Sequence, residues 1–276
     1  AGGHFYPLIA IAESLAEIVA ERRLVTPKLY YFADKPNDEE LLFSNNITFV
    51  RVPAGKARRY FSFHNFLSPF TMLHGFFVAL IALFRIFPDV VISKGSYVSV
   101  PVVLAASLLR IPIIIHESDA KPGRANLLAA GKATRIAVSY ESSIPYFPLK
   151  TRSKIARTGI PIRRGLRMLP EASLGVQMYG LDTSVPTVLI LGGSSGSLRI
   201  NETLIDTLAE IVPFANVIHQ TGKTHIEHVT KRSGVVLAGN AYASRYHPVA
   251  FLSGESMRAA AGSASLIVSR AGATSI

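Results

Sequence analysis

The sequence predicts an α/β protein built from two doubly wound domains, each with a parallel β-sheet. Strand-like and helix-like segments alternate along the first half of the chain, and the same alternation starts again near residue 187. The length of 276 residues exceeds what one ordinary hydrophobic core supports. With 49% hydrophobic and 17% charged residues, the composition is typical of packed globular domains and excludes a disordered chain.

In the first half, β-branched and aromatic runs predict strands at residues 29–33, 47–52, 89–93, 111–115 and 135–139. Helical periodicity predicts helices at residues 7–23, 98–110 and 125–131. The first of these helices carries one apolar stripe, formed by Ile11, Leu15, Ile18 and Val19. Strands and helices that alternate in this way form a parallel sheet with helices on its faces.

The second half repeats the pattern with strands at residues 187–191, 216–220 and 265–269 and a helix at residues 198–212. Between the halves, residues 152–170 contain six basic residues and no acidic residue. We interpret this segment as the end of the first domain and the linker, so the expected domains are residues 1–165 and 166–276. The chain starts without Met and ends within an apparent element, and we therefore expect a fragment truncated at both ends, with an incomplete second domain.

The formal net charge of +11 predicts an anionic partner, either nucleic acid or an anionic membrane surface. Residues 1–150 carry 16 basic and 11 acidic residues, and residues 151–276 carry 13 and 7, so the charge is not confined to a tail. No basic block resembles a nucleic-acid-binding arm, and we do not expect nucleic acid as a partner. The absence of cysteine excludes disulfides and thiolate metal sites.

Residues 60–84 carry no formal charge and are rich in Phe, which raises the question of a membrane span. A span needs about 20 apolar residues, but His64, Asn65, Pro69, His74 and Gly75 interrupt this run. We reject a span and keep two interpretations. One is an amphipathic segment on a membrane surface, assisted by the basic residues just before it. The other is a core helix at residues 76–87 that is preceded by a loop.

Two glycine-rich turns are candidates for ligand binding. Residues 1–4 come directly before a predicted helix, where glycines admit a ligand and the helix N-terminus attracts anions. His4 in this turn has a side chain suited to proton transfer, and the alternative is a helix-capping turn with an incidental His. Residues 192–196 join a strand to a helix and suit a phosphate, and the alternative is a purely structural turn.

Two polar segments follow predicted strands, at the edge where open α/β sheets bind ligands. They are residues 94–97 and residues 116–119. We do not expect a metal there, because His116 has no second His nearby in the sequence. Polar groups for the hydroxyls of a substrate are one interpretation, and a capped turn is the other.

Together these loops resemble, in order and along nearly the whole chain, the MurG family of transferases, which add N-acetylglucosamine to undecaprenyl-diphospho-muramoylpentapeptide. In the first half the matching segments are Gly2-Gly3-His4 with Pro7, Gly95-Ser96-Tyr97-Val98-Ser99 with Pro101, and Ile111-Pro112 with His116-Glu117 and Asn126. In the second half they are Pro161-Ile162-Arg163, residues 192–196 with Asn201, residues 219–223, and residues 269–273.

The resemblance implies the GT-B architecture, in which two Rossmann-like domains face each other across a cleft that holds the active site. It implies inverting transfer of N-acetylglucosamine from UDP-N-acetylglucosamine to a lipid-linked acceptor. It implies no metal or other cofactor, because helix N-termini and donor groups stabilise the diphosphate. It also implies a peripheral protein on the cytoplasmic face of the membrane.

The resemblance also implies roles for individual residues. His4 matches the residue usually proposed as the general base. The residues that match the acceptor side are Gly3, Tyr97, Glu117 and Asp119. Those that match the donor side are Gly2, Asn126, Arg163, Gly193, Ser194, Ser195, Leu252 through its backbone, Arg270, Gly272, Ala273, Thr274 and Ser275. We expect His4, Tyr97 and Glu117 on one wall of the cleft, and on the other wall Ser194, Ser195 and Arg270.

Three residues depart from the family pattern, namely Asp119 and Ile160 in place of Asn and Ser195 in place of Gln. The family's ribose-binding Glu is expected just beyond Ile276. Because the departure at Asp119 falls in an acceptor loop, a related GT-B glycosyltransferase with another lipid-linked acceptor stays open as an alternative. A UDP-sugar 2-epimerase of the same fold is a second alternative, and the loops at residues 1–4 and 95–97 argue against it.

Overall fold

The computed structural model describes residues 2–55, 63–193, 195–270 and 272. The chain divides into two compact units, Ala1–Arg163 (unit 1) and Arg164–Ile276 (unit 2). Each unit has its own hydrophobic clusters and its own parallel pairing of strands. The predicted α/β class is therefore confirmed.

Unit 1 contains parallel strands covered by helices. Its described strands are β1 (Leu29–Ala33), β2 (Ile47–Arg51), β3 (Val91–Ser93), β4 (Ile113–Glu117), β5 (Arg135–Val138) and β6 (Ile155–Arg157). Its described helices are α1 (Gly2–Glu21), α2 (Glu39–Ser44), α3 (Phe63–Ile86), α4 (Ser99–Leu108) and α5 (Arg124–Ala130). The strands pair as β1-β2 and as β3-β4-β5-β6, so the carboxyl ends of β3 to β6 lie at one edge.

Unit 2 contains one parallel sheet in the order β10-β7-β8-β9. Its described strands are β7 (Thr187–Leu191), β8 (Asn216–Gln220), β9 (Tyr246–Val249) and β10 (Leu266–Ser269). Its described helices are α6 (Arg164–Arg167), α7 (Ala172–Tyr179), α8 (Leu198–Ile211), α9 (Ile226–Val236) and α10 (Gly254–Ser263). All five residues of β8 are buried, as expected for a central parallel strand.

The core of unit 1 lies where α3 and α4 pack against the sheet. Leu83 of α3 and Ile115 of β4 are 1% and 0% exposed, and burying each contributes roughly 1.5–3 kcal/mol. Ala79, Ala105 and Ala106 are fully buried in the same cluster, and their small side chains let the two helices approach closely.

The predicted helix at residues 76–87 is too short, because α3 begins at Phe63 and runs for 24 residues. Gly75, which interrupts the apolar run at residues 60–84 in the sequence, lies inside this helix. A Cβ atom at Gly75 would come within 1.9 Å of the carbonyl oxygen of Pro53. The glycine is therefore a contact point at which the helix meets the backbone of another segment. Within the described residues, no helix has the length and apolar character needed to cross a membrane.

Other boundaries also differ from the prediction, and two of them have a clear physical reason. The first helix begins at Gly2 and not at Pro7, so Gly2, Gly3 and His4 lie in its first turn and not in a loop before it. Pro7 has no N–H, so it cannot donate to the carbonyl of Gly3, four residues earlier. The helix tolerates this loss because Gly3 lies in its first turn. The predicted strand at residues 111–115 lies two residues later, because the N–H of Ile111 still bonds to Ala106 of α4.

Ser96, in the turn between β3 and α4, adopts a φ of 86°, which L-residues rarely adopt. We expect Ser96→Gly to raise the free energy of unfolding by roughly 1 kcal/mol, because relief of backbone strain outweighs the entropy that Gly adds to the unfolded chain. Thermal unfolding measures the change. The control is Ser107→Gly inside α4, where the same substitution lowers stability. A destabilised Ser96→Gly variant would contradict this explanation.

Candidate functional site

His4, in the first turn of α1, reaches the turn that follows β3. Its Nδ1–H donates to the carbonyl oxygen of Lys94 at 3.3 Å, so Nε2 keeps its lone pair. Burial lowers the pKa of His4, and the charge of Lys94 lowers it further, while the Lys94 carbonyl and Asp119 oppose both effects. An imidazole with a lowered pKa is neutral at pH 7, which is the form that accepts a proton.

Lys94 belongs to the polar segment at residues 94–97, but no role of its own was predicted for it from the sequence. It follows β3 directly, is 4% exposed, and donates from Nζ to the hydroxyl of Ser118. Burial lowers the pKa of Lys94, and the charges of Glu117 and Asp119 partly restore it. The sequence gives little signal for this role, since a lysine in a turn after a strand is usually an exposed residue.

Glu117 ends β4 and organises the loop that follows. Its Oε1 accepts from the backbone N–H of Asp119, and its Oε2 accepts from the N–H of Gly123 and from Nδ2 of Asn126, all at 2.9 Å. Asn126 also donates to the carbonyl of His116. Glu117 and Asn126 are therefore engaged within unit 1, and their expected roles in acceptor and donor binding stay predictions. Asp119 is exposed at the surface of the same loop.

Tyr97 and His116 complete the polar edge of unit 1. The hydroxyl of Tyr97 donates to Oδ2 of Asp34, which follows β1, at 3.1 Å. A cavity of about 1040 Å³ lies between β1 and β3 and is lined by His4, Lys94 and Tyr97. His116 is buried and its Nε2–H donates to the carbonyl of Gly159, after β6, at 3.0 Å. In the described part of the chain, no cluster of metal-ligating side chains is found.

In unit 2, the loop at residues 192–197 packs against the turn that follows β8. A Cβ atom at Gly196 would lie 2.1 Å from the carbonyl oxygen of Thr221, and one at Gly222 would lie 2.5 Å from that of Ser195. These two glycines are therefore required by close backbone contact. Gly193 and Ser195 are exposed on the loop, where a ligand can reach them. Ser194 lies outside the described residues.

Gln220, the last residue of β8, links the loops on both sides of it. Its Nε2 donates to the carbonyl of Gly193, and its Oε1 accepts from the backbone N–H of Leu252, both at 3.0 Å. The N–H of Leu252, predicted to contact the donor through its backbone, is thus already used, and its carbonyl is the group left for a ligand. In the sequence, Gln220 is recognised only as part of the motif at residues 219–223.

His219, the residue before Gln220, links neighbouring segments at the same edge of the sheet through buried hydrogen bonds. Burial lowers the pKa of His219 to about 4, so its ring is neutral. Its Nε2–H donates to Oδ1 of Asn201, and its Nδ1 accepts from the hydroxyl of Tyr246. Asn201 donates in turn to the carbonyl of Thr221, which ties α8 to the turn after β8.

The predicted cationic groups of the donor side lie in different surroundings. Arg163 forms an ion pair with Glu13 of α1 at 3.4 Å, inside unit 1. Arg270 is exposed and follows β10, next to the carboxyl end of β7, and its carbonyl accepts from the N–H of Gly272. The remaining predicted donor residues, Ala273, Thr274 and Ser275, lie outside the described residues.

Both halves of the chain match models of one family. Residues 1–138 match the glycosyltransferase family 28 N-terminal domain, and residues 187–276 match the glycosyltransferase family 28 C-terminal domain. The chain belongs to glycosyltransferase family 28. The resemblance that the sequence predicts is confirmed at the level of this family.

Relatives within family 28 align with the whole chain. The UDP-N-acetylglucosamine--N-acetylmuramyl-(pentapeptide) pyrophosphoryl-undecaprenol N-acetylglucosamine transferase of Treponema denticola is 34% identical over 285 residues, covering 100% of this chain and 71% of the relative. The transferase of the same name from Lachnospira eligens is 35% identical over 275 residues, covering 99% of this chain and 72% of the relative. These relatives confirm the MurG resemblance.

Solved structures show that the fold of this family 28 chain is shared more widely. The crystal structure of Acinetobacter baumannii MurG superposes with a TM-score of 0.60 at 24% identity, covering 100% of this chain and 70% of that one. The UDP-GlcNAc 2-epimerase of Methanocaldococcus jannaschii superposes with a TM-score of 0.65 at 12% identity, covering 94% and 75%. These likenesses establish the GT-B type of α/β fold and do not distinguish a transferase from an epimerase.

The carboxylate of Glu117 accepts three hydrogen bonds, so an amide in its place turns one acceptor oxygen into a donor that faces other donors. We expect Glu117→Gln to lower the free energy of unfolding by about 1–3 kcal/mol. Denaturant unfolding measures the loss. The control is Glu141→Gln, whose carboxylate forms an exposed pair with Arg157 and should change stability by less than about 1 kcal/mol. Equal stability of both variants would show that the three bonds do not hold the loop.

Proposed function

We propose that the protein transfers N-acetylglucosamine from UDP-N-acetylglucosamine to undecaprenyl-diphospho-muramoylpentapeptide, with inversion at the anomeric carbon. The observation that carries this proposal is the identity of 34–35% with transferases of that name along the whole chain. The polar edge of unit 1 supplies the acceptor side, and the loops of unit 2 supply the donor side.

His4 is the proposed general base. Its Nε2 accepts the proton of the acceptor hydroxyl while that oxygen attacks the anomeric carbon. The new C–O bond forms as the bond to the diphosphate breaks, and UDP leaves with the bonding electron pair. The bond from Nδ1 to the Lys94 carbonyl supports this assignment, because it fixes the tautomer in which Nε2 carries the lone pair.

The donor diphosphate is proposed to lie against residues 192–197, at the N-terminus of the 14-residue helix α8. The backbone N–H groups there stabilise the negative charge that develops on the leaving UDP, so no metal ion is required. Ser197 makes no capping hydrogen bond to this helix end, which leaves its N–H groups available to an anion. The exposed Arg270 lies after the neighbouring strand and supplies a positive charge.

We expect His4→Ala in the full-length protein to lower turnover by ~10²–10⁴-fold, because the acceptor hydroxyl loses its base. UDP affinity should stay within about twofold, because the proposed donor groups of unit 2 are unchanged. The assay measures UDP release with the lipid-linked muramoyl pentapeptide, with other lipid acceptors and with no acceptor. The control is His228→Ala, an exposed histidine on α9.

Undiminished turnover of His4→Ala would assign His4 to helix structure alone. Formation of the 2-epimer of the donor sugar in the absence of an acceptor would replace the transferase assignment by the epimerase. A preference for a different lipid acceptor would keep the chemistry and change the substrate.

We also propose that unit 1 docks on an anionic membrane at the cytoplasmic face, as a peripheral protein. Support comes from α3, which buries one side in the core and exposes apolar side chains on the other. The exposed residues, which recur at helical spacing, are Phe70, Leu73, Phe77, Ile81 and Phe84. A continuous exposed apolar stripe of this kind marks an interaction surface. The basic residues Lys56, Arg58 and Arg59, and the aromatic residues Tyr60 and Phe61, lie outside the described residues.

We expect the double variant Phe77→Ser and Phe84→Ser to lose most of its binding to vesicles that contain anionic lipid. Each ring removed costs roughly 1.5–3 kcal/mol of apolar burial, and the charge variant Lys56/Arg58/Arg59→Glu should lose about 1 kcal/mol for each basic residue replaced. Vesicle flotation measures the bound fraction. The control is Phe214→Ser, a phenylalanine of unit 2 that is 75% exposed. If all these proteins bind as the wild type does, the docking surface is elsewhere.

A further inference from the structure

Gln220 is buried at the point where three loops of unit 2 meet. It is 3% exposed and ends the central strand β8, between β7 and β9. The loop after β7 contains Gly193, and the segment after β9 contains Leu252. The single amide of Gln220 hydrogen bonds to both of these residues at 3.0 Å.

The partners of this amide allow only one orientation. Gly193 offers a carbonyl oxygen, which can only accept, and Leu252 offers an N–H, which can only donate. An apolar side chain would leave both backbone groups without these bonds, and a carboxylate would face the Gly193 carbonyl with a second acceptor. The loss is costlier at the N–H of Leu252, where the bond is buried, than at the carbonyl of Gly193, where it is partly buried.

The two bonded segments are also the two whose placement matters to a nucleotide. The carbonyl of Gly193 also accepts from the N–H of Gly196, and this bond closes a turn in the loop at residues 192–197. Gly193 itself has a φ of 83°. The N–H of Leu252 is used by Gln220, so the direction of its free carbonyl depends on that bond. One amide thus sets both the shape of the loop and the spacing between the two segments.

We propose that Gln220 is a positioning residue for the donor nucleotide. It fixes the loop proposed for the diphosphate relative to the segment that contains Leu252, whose carbonyl can accept from the N3–H of a uracil base. This inference rests on the proposed function and deepens it, because a ligand that spans both segments depends on their spacing. The affinity of a ligand that contacts only one segment does not depend on that spacing. UDP is a ligand of the first kind, and uridine, which lacks the diphosphate, is a ligand of the second kind.

The test compares wild type with Gln220→Met, which keeps the side-chain length and removes both bonds, and with Gln220→Glu. Calorimetry measures the affinities for UDP and uridine, steady-state kinetics gives KM and kcat, and thermal unfolding checks the fold. We expect about tenfold weaker UDP binding and a KM for UDP-N-acetylglucosamine raised by about tenfold, with uridine affinity within about twofold. The matched control is Gln177→Glu, an exposed glutamine on α7 that should change none of these values.

Gln220→Glu gives an independent measurement in case the Met variant does not fold. A protonated carboxyl group restores one donor and one acceptor, and burial raises the pKa of such a group, while Lys223, whose Nζ lies 5.8 Å from the ring of Phe251, opposes the shift. The KM defect of Gln220→Glu should therefore shrink as the pH falls from about 8 to about 6, relative to wild type at each pH.

Equal losses of UDP and uridine affinity, or unchanged UDP affinity in a folded variant, would overturn the positioning role. All variants are made in the full-length protein, and if full-length wild type binds neither UDP nor the sugar nucleotide, the proposed function itself fails. The two failures are distinguished by the wild-type measurement alone.

Discussion

The loops at the carboxyl ends of parallel strands bring backbone N–H and carbonyl groups to a sheet edge where no further strand can pair with them. In both units, buried polar side chains at the end of a strand satisfy these groups. Glu117 ends β4 and accepts from two backbone N–H groups, and Gln220 ends β8 and bonds to a carbonyl and an N–H. An asparagine on a neighbouring helix also donates to a backbone carbonyl at the same edge. In unit 1 it is Asn126 of α5, the helix after β4, and in unit 2 it is Asn201 of α8, the helix before β8. The exposed parts of the loops are thereby held in place for a ligand.

Electrostatics differ between the two edges in a way that matches their proposed roles. In unit 1, desolvation lowers the pKa values of His4 and Lys94, and the charge of Lys94 lowers the pKa of His4 further. A neutral imidazole beside a cation is suited to accept a proton. In unit 2, the buried His219 is held neutral by its surroundings and both of its ring nitrogens are bonded within the protein. It therefore stabilises the fold, whereas His4 keeps one nitrogen for chemistry.

The sequence predicted the strands better than the helices, for a physical reason. Buried parallel strands are short β-branched runs, and β1, β7 and β8 have the predicted bounds. The start of α3 was missed because Gly75 is a breaker by local propensity, whereas in the fold it is required by contact with Pro53. The site was predicted where a motif named a residue. Lys94 and the bridging role of Gln220 were missed, because burial and the partners of a side chain depend on distant segments.

The chain superposes on an epimerase with a TM-score of 0.65 and on a MurG structure with a TM-score of 0.60. The fold alone therefore does not determine which reaction is catalysed, and the loops carry that information. Both activities use a UDP-sugar, so a shared fold places the nucleotide at the carboxyl edge of a parallel sheet in either case. Transfer needs in addition a base that removes a proton from an acceptor hydroxyl. His4 is the proposed base, on the grounds of its position in the first turn of α1 and the tautomer that the Lys94 carbonyl fixes. The proposed assignment therefore places the catalytic difference in a few side chains of unit 1 and the binding of the nucleotide in unit 2.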